Sequence, residues 1–112
     1  MWHEQIQGGV RILSHVDGLD TNSKVTQALQ LLEAHVLQDP GGRWAGDAAP
    51  IALMNSEAIG KQIAVVRRVS AANGRMVLVN PTRHVRGVLQ TLRLVKLLPI
   101  VDDVEQAVAR LA

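Results

Sequence analysis

Gly60 followed by Lys61 has the ending of a phosphate-cradling loop, in which backbone N–H groups and the lysine would hold a nucleotide's phosphates. That loop needs a glycine five residues before Gly60, where Asn55 stands, and a hydroxyl after Lys61, which is missing. Nucleotide hydrolysis is excluded on both counts. Ser14, Ser23, Ser56 and Ser70 lack the Gly-x-Ser-x-Gly surroundings of a hydrolase nucleophile, and no Gly-x-Gly-x-x-Gly follows a strand-like run. His3, His15, His35 and His84 fall at no ligand-pair spacing on one helix face, and the chain has no Cys to supply a thiolate. Each histidine therefore reads as a surface or half-buried polar residue, and neither a metal site nor a cofactor is expected. With no nucleophile, base and orienting group nameable together, the chain does not read as an enzyme.

What remains is a helix start. In Asn55, Ser56, Glu57, Ala58, Ile59 and Gly60, the first residues offer caps and Glu57 places a carboxylate among N–H groups that have no intrahelical partner. Such an acid stabilises the helix by about 0.3 to 1 kcal/mol through the macrodipole. Charge elsewhere is unevenly spread. Residues 1 to 57 carry three bases against seven acids, whereas residues 58 to 101 carry eight bases and no acid. The basic stretch either forms a patch that attracts an acidic partner or stays as dispersed, solvated charge. Within it, Arg83, Arg86 and Arg93 read as a stripe facing away from a helix's apolar side and offer a second partner surface.

These residues must be positioned by the elements around them. Val10 to Val16 reads as a strand and Asp17 to Asp20 as a turn. Thr21 to Ser23 offer an N-cap for a helix with Val25, Ala28, Leu29, Leu32 and Val36 on one stripe. Asp39 to Gly42 break it, and Arg43 to Ala48 reads as a short buried strand. The helix after Asn55 should bury Ile59, Ile63 and Val66 and close at Asn73 and Gly74, with the glycine taking the left-handed conformation. Met76 to Val79 has the continuous apolar character of a strand buried on both faces. Asn80 should cap a third helix with Pro81 at its first position and Val85, Val88, Leu89 and Leu92 inside. Leu97 to Val101 reads as the last strand, and Asp102 with Glu105 as a capping-box start for a helix bearing Val104, Ala107, Val108 and Leu111. Strands alternate with helices, which makes the fold class α/β with mostly right-handed crossovers.

At 112 residues the chain fits one domain, 1–112, and its 47% hydrophobic content is enough to fold it. Trp2 and Trp44 are its only aromatics, too few for base-stacking platforms, so nucleic acid is not expected as a partner. No run approaches the roughly 18 apolar residues of a membrane span, and Met1 to Glu4 do not begin a leader. A cytoplasmic location is expected.

From Asp47 onward the chain resembles the STAS family, the anti-sigma-factor antagonist domain. The family's hallmark is Asp-Ser-Ser/Thr-Gly-Leu/Ile-Gly at the start of its second helix, eight residues after a strand-ending Asp. Asp47 stands eight residues before Asn55. Gly74 to Pro81 is similar to the family's Gly-x-(apolar strand)-x-Pro stretch, Val85 to Leu98 to its following helix and loop, and Val104 to Leu111 to its closing helix. The resemblance covers about residues 10 to 112, more loosely before Asp47. It implies a small mixed β-sheet flanked by about four helices. It also implies a bacterial regulator of transcription whose second hallmark hydroxyl is phosphorylated by a partner kinase that is itself the anti-sigma factor. Asn55 then takes the hallmark Asp position, Ser56 the first Ser and Glu57 the acceptor position, with Ala58 and Gly60 completing the switch region. Glu57 has no hydroxyl, so this switch cannot run through it. It is either ordinary helix grammar or a fixed stand-in for the phosphorylated residue, with one charge where phosphate would bring nearly two. Ser56 is left as a cap or a modifiable hydroxyl. A STAS module of a transporter-associated or stressosome-like scaffold is the alternative, with Glu57 purely structural.

Overall fold

The computed structural model describes residues 2–111. The chain starts with a strand that its sequence does not advertise. Strand β1 (Trp2–Gln7) pairs antiparallel with β2 (Val10–His15), with Gln7 opposite Val10. The two residues between them, Gly8 and Gly9, both have positive φ, the geometry of a tight hairpin turn whose twist matches the flanking strands. Because β1 is polar and exposed, side-chain bonds to β2 and α1 help hold it. Glu4 accepts from Arg11 on β2 and from His35, and the Trp2 indole donates to the Ala28 carbonyl at 2.7 Å. Arg11 also pairs with Asp39 at 2.8 Å and lies 4.2 Å over the Trp44 ring.

Helix α1 (Asn22–Val36) is capped by the Thr21 hydroxyl, which accepts from the Lys24 N–H, and buries Val25, Ala28, Leu29, Leu32 and Val36 as the spacing predicts. Next come β3 (Arg43–Asp47), α2 (Ser56–Ala71), β4 (Arg75–Val79), α3 (Arg83–Thr91), a 3-10 turn (Leu94–Lys96), β5 (Ile100–Val101) and α4 (Val104–Leu111). The sheet order is β1-β2-β3-β4-β5, with every pair parallel except the first. Strand β4 lies between β3 and β5, and its side chains alternate between two cores. Met76 and Leu78 join Leu13, Trp44 and the inner faces of α1, α2 and α3, while Val77 and Val79 join Val10, Ile12, Ala45 and α4.

Five details differ from the sequence expectation. In α2 the buried residues are Ala58, Gln62, Val65, Val66 and Val69, while Ile59 and Ile63 are only half-buried. They lie at the seam toward Leu89, Leu94 and Leu97, so the stripe is rotated about one residue. At the end of α2 the left-handed residue is Asn73, not Gly74. Gly74 is needed for space instead, because a Cβ there would collide with the Pro40 carbonyl oxygen and come within 2.8 Å of Gly42 O and Val69 Cγ1. The α3 cap is Thr82, whose hydroxyl accepts from the Val85 N–H, while Asn80 takes a positive φ and Pro81 precedes the helix. Leu92 is exposed and Val88 half-buried, because the helix stops at Thr91 and Arg93 turns left-handed. Finally, β5 is two residues long, and the start of α4 is held by Asp103, which accepts from the Gln106 N–H, while Gln106 accepts from the Asp102 N–H.

Candidate functional site

Parallel strands followed by returning helices put the starts of α1, α2 and α3 at one edge of the sheet, the carboxyl edge of β2, β3 and β4. The loop from Asp47 to Asn55 is fixed on three sides. Asp47 Oδ1 accepts from the Ala49 N–H at 3.0 Å, and the Ala48 N–H donates to Val79 O at 2.9 Å. Leu19 bridges Ile51, with its N–H donating to Pro50 O and its carbonyl accepting from Ala52. The Thr82 hydroxyl reaches Ile51 O at 3.3 Å. The start of α2 is thereby tied both to the turn before α1 and to the cap of α3.

On this platform Asn55 has an extended backbone, and its Oδ1 accepts from the Ala58 N–H at 2.9 Å. Asn55 is therefore the cap, and Ser56 is not. Buried Ala58 anchors the first turn. Ser56, Glu57 and Gly60 are all exposed, and neither Ser56 nor Glu57 makes a side-chain hydrogen bond or ion pair among the described residues. Nothing lies within 4 Å of where a Gly60 Cβ would be, so that glycine leaves a bare spot three residues from Glu57 and four from Ser56. A cleft of about 320 Å³ runs from Asn55 and Glu57 to Asn22, Ser23, Thr26 and Gln27 on α1. The sequence expectation places none of those α1 residues at the site. The polar run after Thr21 signals only a cap, and it takes the topology to place it beside Glu57. The arrangement presents a carboxylate and a hydroxyl at a capped helix start, facing solvent, beside the bare Gly60.

Arg83, Arg86 and Arg93 do not form the single stripe expected of them. Arg83 is exposed at the start of α3, on the same edge as Glu57. Arg86 is half-buried and leans to Asp102 at 3.5 Å. Arg93 lies beyond the helix, in a left-handed backbone conformation that turns it away from the row the other two occupy. Of the histidines, His35 bonds Glu4 at 2.8 Å and His15 packs edge-on against Trp2 at 5.0 Å. Among the described residues, no group of three His, Cys, Asp or Glu could hold a metal ion, and no helix is long and apolar enough to cross a membrane.

No protein-family model and no curated protein matches the chain. Solved structures do. A STAS domain protein from Planctomyces limnophilus superposes with a TM-score of 0.84 at 14% identity, over 98% of this chain and 97% of that one. The anti-sigma factor antagonist SpoIIAA in its unphosphorylated form gives 0.68 at 21% identity, over 98% and 95%. The Bacillus SpoIIAA in its phosphorylated form gives 0.69 at 16%, over the whole of both chains. The murine anion transporter Slc26a9 gives 0.74 at 15% identity, over 95% of this chain and 18% of the transporter. The five-stranded mixed sheet with four helices described above is the α/β fold of STAS domains.

Proposed function

We propose that the chain, as one domain over 1–112, is a cytoplasmic, non-enzymatic protein-interaction module of the anti-sigma-factor antagonist kind. In this reading it regulates bacterial transcription, and its contact surface carries a permanent negative charge in place of a reversible phosphate. The observation behind this reading is the exposed Glu57 carboxylate in the first turn of α2, next to the Asn55 cap and the Ser56 hydroxyl. It occupies the position that the hallmark resemblance gives to the phosphoacceptor, and SpoIIAA, whose fold the chain shares, exists in unphosphorylated and phosphorylated forms. A fixed carboxylate there favours whichever partner state prefers an anion at this helix start. The partner is a protein, by resemblance a kinase-type anti-sigma factor, docking over Asn55, Ser56, Glu57, Ala58 and Gly60. Arg83 at the same edge, with Arg86 one turn farther along α3, supplies the basic flank of the surface.

The test is Glu57→Ser against wild type, with partner recovered by co-purification from native extract. Measured affinities should differ by about tenfold, as expected when a charge is gained or lost at a contact made there. Equal affinities end the fixed-charge reading. A second reading follows from the likeness to the Slc26a9 domain: a scaffold module of a transporter-associated or stressosome-like assembly, with Glu57 only a helix-stabilising acid. Membrane or multimeric partners in the same co-purification favour it.

A further inference from the structure

At the other end of α2, a helix of 16 residues and so about 24 Å long, lies a second concavity of about 270 Å³. Four elements converge on it. Arg75 opens β4, Lys96 ends the 3-10 turn, Arg110 lies in the last turn of α4 and Ser70 in the last turn of α2. Among the described residues, no Asp or Glu lines this cleft. None of the three cations pairs with an acidic side chain among the described residues. Three like charges around one cleft repel one another, and a bound anion would relieve that repulsion.

Two features narrow the ligand. The carbonyls ending α2 would oppose an anion if left open, but the reversing chain covers those of Arg68, Val69 and Ser70. The Gly74 N–H donates to Val69 O at 2.8 Å, and the Asn73 N–H to Ser70 O at 3.0 Å. Beside the cations, half-buried Leu97 and Pro99 add a smaller apolar surface, with Val69, Met76 and Leu111 buried behind the polar lining. Two guanidinium forks, an ammonium and a hydroxyl match the oxygens of a phosphate better than a single carboxylate.

We propose that this cleft binds a small phosphate monoester, its phosphate held by Arg75, Lys96, Arg110 and the Ser70 hydroxyl, its body against Leu97 and Pro99. The site is independent of the surface around Glu57. The experiment titrates the isotope-labelled chain with phenyl phosphate, inorganic phosphate and benzyl alcohol at constant ionic strength, following backbone amides by NMR. Phenyl phosphate should produce saturable shifts at Ser70, at residues 74–77 and at 96–98, at least about fivefold tighter than inorganic phosphate. Benzyl alcohol should produce none. Arg75→Gln with Arg110→Gln should weaken phenyl phosphate at least about tenfold, whereas Arg67→Gln with Arg68→Gln, on exposed positions outside the cleft, should change it less than about twofold. If the first double variant does not fold by circular dichroism, Lys96→Gln alone must weaken binding by about threefold. Shifts that do not saturate, equal weakening by the two double variants, or inorganic phosphate binding as tightly as phenyl phosphate each overturn the proposal.

Discussion

Replacing Gly60 by Ala should make the protein more stable and its partner contact weaker, a pairing of outcomes that separates a binding surface from a structural one. Gly60 sits inside α2, exposed, with no positive φ and with open space where a Cβ would point. Glycine in such a position costs about 0.8 to 1 kcal/mol relative to alanine, through the extra backbone freedom it loses on folding. No steric term offsets the gain in Gly60→Ala, so nearly all of it should appear. Urea unfolding should move the midpoint upward by about 0.5 M, with an unchanged slope of about 2 kcal/mol/M. The thermal midpoint should rise by about 4 °C. The same methyl fills the bare spot beside Ser56 and Glu57, so affinity for a partner docked there should fall. An unchanged or lowered urea midpoint would show that Gly60 is not in open space in solution. A gain in stability with no loss of affinity would move the docking surface elsewhere.

Gly74→Ala should act in the opposite sense. Its methyl has nowhere to go between two backbone carbonyls and Val69, and a loss of at least about 3 kcal/mol, at the upper end of overpacking costs, should appear in urea unfolding. Acid should loosen β1. The hydrogen bond from His35, and with it Arg11, holds the Glu4 carboxyl below the usual glutamate range against the opposing effect of burial. Because that native value is depressed, its contribution to stability is fully present above the unfolded-state value and is lost as pH falls through the native one. Glu4→Gln should therefore cost stability at pH 7 and much less near pH 3, and parallel curves at both pH values would refute the assignment. Arg83→Glu combined with Arg86→Glu should weaken an acidic partner and leave unfolding nearly unchanged, since Arg83 is exposed and the single ion pair of Arg86, to exposed Asp102, is long at 3.5 Å. Unaltered binding of every partner marks both residues as solvated charge.

Strong periodicity made α1 and β4 legible. Five apolar residues at spacings of three and four, and four consecutive apolar residues ahead of Asn80, admit few other readings. The Asn55 start was equally plain, because a cap followed by an acid needs only local geometry. Strand β1 went unread because polarity hides it. It is exposed and held by side-chain bonds to Arg11, His35 and Ala28, and only the Gly8-Gly9 pair before an alternating run signals a hairpin. The inward face of α2 was misplaced because ranking by hydrophobicity favours Ile59 and Ile63. The helix turns small Ala58 and Gln62 inward instead, and the Gln62 amide lies 3.9 Å from Met76 Sδ. The arginine stripe failed at a backbone feature: a helix extrapolated through Arg93 ignores the left-handed turn that ends it. The gathering of α1 polar residues next to Glu57, and of Ser70, Arg75, Lys96 and Arg110 at the far edge, depends on long-range topology that no local pattern encodes.

Strands that lie side by side in the order of synthesis give the molecule a direction of growth. Its parallel ladders join residues at most about 33 positions apart, Arg11 with Trp44 and Arg43 with Arg75, and the β4–β5 ladder spans fewer still. Each strand leaving the ribosome therefore meets a neighbour already waiting, so loop-closure entropy is met in small, nearly equal instalments. Nascent chains truncated after Val79 should already protect the amides of β2 and β3 from exchange, while the face awaiting α4 stays open to the solvent.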